Sequence, residues 1–188
     1  MDGAGQLVMS AASAGGVSVL FPSDFMEWDD CAAHLSKSLK APVFSFHIHD
    51  GDLWMYVFFV SGAGTDWFNP LPEYWDDDIS EEERRKWAGR ASMVSEHWPG
   101  VRKEQIEKYL VHWDLDKVYD EKKKAYQDDE HHFGEDWQLT DFMRRLGLKY
   151  PMDGQGKAAG KVFRFSQGAR PERITATPGP KPWWKFWR

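Results

Sequence analysis

Apolar positions change their period several times along the chain, and each change marks an element. Phe25, Trp28, Ala32, Leu35 and Leu39 recur at spacings of three and four, the period of one helical face. Asp24 and Glu27 precede them at the spacing of a capping box, so a helix is expected from Asp24, stopped at Ala41-Pro42. The pattern then turns strand-like. Val43–His49 and Asp52–Val60 flank Asp50-Gly51, a favoured pair for a two-residue type I′ hairpin turn. That turn sets His49 opposite Asp52. Ile48 then faces Leu53, Phe46 faces Met55 and Phe44 faces Val57 on the expected buried side. His47 with Trp54, Ser45 with Tyr56 and Val43 with Phe58 fall on the other. Ser61-Gly62-Ala63-Gly64 predicts a turn into a third strand, Thr65 to Phe68, ended by Asn69-Pro70-Leu71-Pro72.

Helical signals dominate the next stretch. Ser80 and Glu83 form a second capping-box pair ahead of a helix over Glu81–Trp87. A short helix is expected over Ala91–Trp98, closed by Pro99-Gly100. Ile106, Tyr109, Leu110 and Trp113 sit at i, i+3, i+4 and i+7, as do Leu139, Phe142, Met143 and Leu146. Gly147 stands where a helix-ending glycine belongs. Between these stripes the charged run Asp114–Asp136 reads as a long loop with some helix. Short strands are expected near Leu7–Met9 and over Lys161–Phe165. Together these elements predict an α+β fold. A short antiparallel sheet, the hairpin at 43–60 plus a third strand at 65–68, packs with several helices that cover one of its faces. Residues 21–150 form the domain, residues 1–20 a flexible N-terminal segment and residues 151–188 a basic, Pro/Gly-rich tail.

Composition adds two facts. Of 188 residues 11 are Trp, far too many bulky side chains for a disordered chain. Three of them stand in the last six positions, Trp183-Trp184-Lys185-Phe186-Trp187-Arg188, after the extended spacer Thr177–Pro182. The net charge of -6 is unevenly spread. Residues 1–150 hold 28 acidic and 16 basic side chains, and residues 151–188 hold 2 and 8. An acidic body disfavours nucleic acid. Its basic tail suits a weak membrane contact or an intramolecular one. The longest apolar run, Leu53–Val60, is too short to span a bilayer. No Lys or Arg precedes Lys37, so Met1–Leu20 is not expected to be a secretory leader. With Cys31 the single cysteine, the chain is expected in the cytoplasm.

Candidate chemistry is sparse. His47, His49, Asp50 and Asp52 form an H-x-H-D-x-D cluster, and residues two apart on a strand share a face. Such donors suit zinc or another divalent metal. The same residues equally suit packing beside Trp54 and a hairpin turn. Asp128-Asp129-Glu130-His131-His132 has metal-binding residue types, but contiguous residues do not converge on one ion, and a solvated acidic loop is the expectation. G-x-S-x-G, G-x-x-x-x-G-K-[ST], H-E-x-x-H and C-x-x-C are missing. Cys31 lies beside the first helix's apolar stripe, where a packed thiol is expected.

Asp50-Gly51-Asp52-Leu53-Trp54-Met55-Tyr56-Val57 and Asp66-x-Phe68-Asn69-Pro70-x-Pro72-x-Tyr74-Trp75 resemble a family of uncharacterised bacterial proteins. A third block, Trp137-Gln138-Leu139-Thr140-Asp141-Phe142-Met143-Arg144-Arg145-Leu146-Gly147-Leu148, extends the resemblance. It implies a bacterial origin and one compact domain over about Phe21–Pro151, and assigns no catalytic residue. In composition the chain is also similar to small acidic immunity proteins that bind basic toxins, an analogy of class only.

The leading expectation is a non-enzymatic protein-interaction module without a cofactor. Exposed Trp and Tyr are typical anchors of interfaces. The candidate anchors are Trp54, Tyr56, Trp67, Tyr74 and Trp75 on the body, and Trp183, Trp184, Phe186 and Trp187 on the tail. The alternatives are a metal-dependent hydrolase at His47, His49, Asp50 and Asp52, and peripheral membrane attachment through the tail's Trp cluster.

Overall fold

A computed structural model describes residues 4–166 apart from Asp77. The order is β1 (Ala4–Ser10), β2 (Val19–Leu20), α1 (Trp28–Leu39), β3 (Val43–His49), β4 (Leu53–Val60), β5 (Ala63–Phe68), α2 (Glu81–Lys86), α3 (Ala91–His97), α4 (Leu115–Glu121), α5 (Gln138–Arg145) and β6 (Gly160–Ser166). Short 3-10 turns occupy Pro72–Tyr74, Lys103–Gln105 and Glu107–Tyr109. The strands form two antiparallel three-stranded sheets, β3-β4-β5 and β2-β1-β6. The fold is α+β, with a short sheet packed among helices.

The hairpin register differs from the expected one by a single residue. His49 pairs with Leu53, His47 with Met55 and Phe46 with Tyr56. Asp50 and Gly51 do adopt positive φ, 49° and 80°, as a type I′ turn requires. Asp52 N donates to His49 O at 2.8 Å, yet Asp52 stays outside the ladder. The loop is therefore three residues long, and a one-residue slip exchanges the faces of a whole strand. Trp54, Tyr56 and Phe58 join Phe44, Phe46 and Ile48 on one face. His47, His49, Ser45 and Val43 share the other with Leu53, Met55, Val57 and Phe59. The second hairpin, by contrast, is a true two-residue turn. Ser61 and Gly62 have φ of 53° and 85°, and Val60 pairs with Ala63. Thr65 bulges out of β5, its hydroxyl donating to Phe58 O at 3.1 Å.

Both faces of this sheet are covered, not one. Across the first, Trp54, Tyr56, Phe58 and Phe68 meet Val94, Trp98, Ile106, Tyr109, Leu139 and Phe142 in the main core. Two of its three indoles find hydrogen-bond partners, as buried Trp usually does, and Trp113 Nε1 has none among the described residues. Trp54 Nε1 donates to Gln138 Oε1 at 3.3 Å, and Trp98 Nε1 to Leu146 O at 3.0 Å. Tyr56 Oη donates to Asp66 Oδ2 at 2.8 Å, and Arg90 Nε donates to Asp66 Oδ1 at 3.0 Å. The second face receives α1, whose Ala32 and Ala33 pack against Val43, Val57 and Phe59.

Helix ends follow local chemistry unevenly. Ser80 and Glu83 make the expected reciprocal cap on α2. The corresponding pair Asp24 and Glu27 does not, because α1 begins only at Trp28, with Glu27 as its N-cap and no side-chain cap bond. The stripe Ile106–Trp113 is buried as expected, but in 3-10 turns instead of an α-helix. Trp113 N donates to Pro70 O at 2.7 Å, which holds the segment extended against the end of β5. On α5 the stripe and its terminal Gly147 (φ 71°) are both realised. Gly15 N donates to Gly147 O at 3.0 Å, and a Cβ on Gly15 would meet Leu146 O at 2.0 Å, so only glycine permits this approach. It fixes the turn after β1 to the end of α5. β1 in turn pairs over its whole length with β6.

Candidate functional site

The end of the β3-β4 hairpin gathers an aromatic and histidine face. β3 places His47 and His49 on one side, two residues apart. The first turn of α1 supplies Trp28, which stacks on His47 with centroids 5.0 Å apart and planes 20° apart. The two imidazoles are 6.0 Å apart. His49 then meets the edges of Tyr74 at 5.4 Å and Trp75 at 4.9 Å. Tyr74 and Trp75 contact each other at 4.8 Å.

The sequence after β5 explains why these rings arrive there. Asn69 Oδ1 accepts from Leu71 N at 2.9 Å, turning the chain. Pro72 then opens the 3-10 turn that carries Tyr74. Tyr74 Oη donates to Asp52 Oδ2 at 2.6 Å, tying this turn to the hairpin tip. Asp50 Oδ2 lies 3.4 Å from His49 Nε2. Asp50 and Asp52 at the hairpin tip are exposed, as are Asp76, Asp78, Glu81 and Glu82 just after Trp75, so the segments that carry the face are acidic.

Two groups beneath α1 have displaced proton affinities. Burial pushes the pKa of His47 down to about 4, reinforced by His49 and opposed by Asp50. Its ring is therefore neutral at pH 7. Burial pushes Asp29 up to about 7, against a hydrogen bond from the Ser45 hydroxyl, and Asp30 adds to the rise. Asp29 adjoins Trp28 in α1, and Ser45 adjoins His47 along the same face of β3. The face is thus underlain by a neutral imidazole and a carboxyl that is half-protonated near neutral pH.

The candidate residues separate cleanly. Tyr74 and Trp75 meet His49 and Asp52, uniting residues proposed for binding with residues proposed for metal. Trp54 and Tyr56 are corrected as surface anchors. They are 0% and 1% exposed in the main core, because the register turns them away from His47. Trp67 lies on the His47 side of the sheet, half-buried on β5 with its ring over Gly64, two strands from Ser45. Trp183, Trp184, Phe186 and Trp187 lie outside the described residues. Trp28 was missing from the sequence candidates. Its place in an apolar helical stripe disguised it, and only the crossing of α1 over β3 brings it to His47.

Metal chemistry gains no donor set here. Among the described residues no three His, Cys, Asp or Glu side chains are grouped to hold an ion. Structural and catalytic zinc sites use at least three converging protein ligands. His47 instead stacks on Trp28, and Asp52 accepts from Tyr74.

The acidic run at 128–132 is solvated at Asp128 and Glu130, as expected, but is also clamped through Asp129. Asp129 is buried and accepts from Tyr109 Oη at 2.6 Å, Tyr126 N at 2.8 Å, Arg145 Nη2 at 3.0 Å and Arg144 Nη2 at 3.1 Å. Asp141 accepts from the backbone N–H groups of Glu130 at 3.0 Å and His131 at 2.8 Å. Hydrogen bonds from Arg145 and Arg144 hold Asp128 down at about 2. These carboxylates are spent on joining the loop to α5. Cys31 is half-buried on α1, and burial raises its thiol pKa.

No helix among the described residues is long and apolar enough to cross a membrane. Comparison with known proteins finds no matching family model, no matching curated protein and no matching solved structure.

Proposed function

We propose that this chain is a bacterial, cytoplasmic, non-enzymatic interaction module that binds a basic protein through the face formed by His49, Tyr74 and Trp75. One observation carries the reading. Three rings from two distant, acidic segments converge within 5.4 Å of one another, beside Asp52. Aromatic anchors beside charge of one sign are the make-up of a protein-binding patch for an oppositely charged partner. Trp28 and His47 extend the face towards α1. The net charge of -6 steers a basic partner to it.

The test starts with capture of partners from the native cell by the full chain. The basic protein retained is purified, and its affinity is measured for wild type, Tyr74→Ala and Asp50→Lys/Asp52→Lys. Binding at least about tenfold weaker in both variants, and weakening with salt, is the expected result. Equal affinity for all three proteins, or retention of no basic protein, overturns the proposal.

A further inference from the structure

The same chain contains a segment with the chemistry this face would select. Residues 167–188 carry five basic side chains and one acidic one, ending in Trp183-Trp184-Lys185-Phe186-Trp187-Arg188. Aromatic rings alternate with cations there as rings alternate with carboxylates on the body. We infer that Trp183–Arg188 docks in cis on the face of Trp28, His47, His49, Tyr74 and Trp75, and so competes with the basic partner for it. The inference rests on the proposed function for the competition, but not for the docking.

Three considerations support it. The first is charge. Asp50 and Asp52 contact His49 and Tyr74, and the exposed Asp76, Asp78, Glu81 and Glu82 follow Trp75 closely in sequence. Nearby, Arg84 pairs with Glu73 at 2.7 Å and Lys86 with Glu82 at 3.5 Å, and Arg85 between them is exposed. Lys185 and Arg188 add further charge opposite to that of Asp50, Asp52, Asp76 and Asp78. Their positions beside Trp and Phe also suit cation–π contact with Tyr74 and Trp75. The second is reach. The 16 residues between Ser166 and Trp183 span at most about 55 Å when extended. A body of this size has a radius of gyration of about 15 Å, hence a diameter of about 40 Å. The span exceeds that diameter and falls just short of the half-circumference of about 60 Å, so most of the body's surface is within range of the end of β6. The third is effective concentration. A linker of this length holds its segment at an effective concentration of the order of millimolar. An intrinsic Kd of about 0.1 mM then leaves the face occupied roughly ten to one, and lowers the apparent affinity of a competitor about tenfold.

The docking is tested on the full chain labelled with 5-fluorotryptophan, by fluorine NMR. Wild type is compared with Trp183→Ala/Trp184→Ala/Trp187→Ala and with Asp50→Lys/Asp52→Lys. In the triple variant the Trp28 and Trp75 resonances should move by several line widths. Those of the buried Trp54, Trp98 and Trp113 should stay in place, which also reports that the body remains folded. Adding the peptide of residues 181–188 to the triple variant should return Trp28 and Trp75 towards their wild-type positions with saturation. In the charge-reversed variant the Trp183, Trp184 and Trp187 resonances should move together with those of Trp28 and Trp75. Unmoved Trp28 and Trp75 resonances in the triple variant overturn the inference. Shifts that depend on protein concentration overturn it in favour of a second copy. Anionic phosphatidylserine vesicles that broaden the tail resonances while leaving Trp75 unchanged overturn it in favour of a membrane. A chain that fails this test but still binds its basic partner loses only the docking. A chain that passes it but binds no basic protein loses only the proposed function.

Discussion

The two faces of the β3-β4-β5 sheet come from the same strands and do opposite work. On one, Phe44, Phe46, Trp54, Tyr56, Phe58 and Phe68 meet Phe142 and Trp98 in a core of interlocked rings. Tyr56 is matched there to Asp66 and Trp54 to Gln138 Oε1, while Gln138 Nε2 and Trp113 Nε1 are buried without a hydrogen-bond partner among the described residues. On the other, α1 covers the middle with the small residues Ala32 and Ala33, and the hairpin end carries His47 and His49 against rings from α1 and the 72–75 turn. Alternation along a strand assigns neighbouring residues to these two duties. Aromatic content alone therefore does not mark a binding surface. Trp54 and Trp75 are the same residue type, but strand register puts Trp54 at the buried centre and the turn after β5 puts Trp75 beside His49.

Breaking the core face should cost most. Phe142→Ala removes a fully buried ring in contact with Trp54, Tyr56 and Tyr109. A loss of about 3–5 kcal/mol in urea unfolding is expected, because the transfer and cavity costs add. A loss near 1 kcal/mol would show that this face is not the core. Next, Asp66→Ala strands the buried Tyr56 hydroxyl and unpairs Arg90. About 2–3 kcal/mol is expected from the unsatisfied buried group, and Asp66→Asn, which keeps an acceptor, should recover part of it.

The histidine face has a different signature, in pH. Asp29 has a folded pKa of about 7 against an ordinary 3.8, so its stabilising contribution is complete below pH 3.8 and is lost as pH rises to 7. His47 has a folded pKa of about 4 against 6.5, so the neutral form is favoured on folding. Its contribution is complete above pH 6.5 and is lost as pH falls to 4. The upper bounds are about 4 kcal/mol for Asp29 and about 3 kcal/mol for His47, less where water reaches the group. Over pH 4–6.5 the two slopes oppose each other. Asp29→Asn should therefore gain stability over wild type as pH rises through this window, and His47→Gln should lose it. Urea midpoints that track wild type in parallel at pH 4.5, 5.5 and 6.5 would contradict this account of α1 over β3. At the rim the effect should be smallest. Tyr74→Phe removes one exposed hydrogen bond to Asp52, and a change below about 1 kcal/mol is expected.

These contrasts also show what the linear pattern could carry. The α5 stripe and Gly147 were legible because a 3.6-residue period and a left-handed C′ residue are local properties. The hairpin was legible but its register was not. β4 reads Leu-Trp-Met-Tyr-Val-Phe-Phe-Val, apolar at every position, so either register pairs apolar residues on the side chosen as core. Such a run belongs to a strand buried on both faces, and it lacks the alternation that fixes register. The Asp50-Gly51 cue set the backbone sign of the turn and could not count the third loop residue, Asp52. The Ile106–Trp113 stripe kept its burial and lost its helix to a tertiary bond from Trp113 to Pro70. Pairing of β1 with β6 joins segments 150 residues apart and leaves no local trace. The candidate site was half legible for the same reason. His47 with His49, and Tyr74 with Trp75, are neighbours in sequence, whereas the meeting of His49 with Trp75 and of His47 with Trp28 is made only by folding.

One face of the sheet folds the protein, and the end of the other is the proposed recognition surface. Tyr74→Ala/Asp52→Lys separates the two, with stability and affinity for the captured basic protein measured on the same sample. Unfolding free energy within about 1 kcal/mol of wild type and partner affinity at least about tenfold lower are expected. Unchanged affinity would rule the surface out, and so would affinity lost only together with the fold.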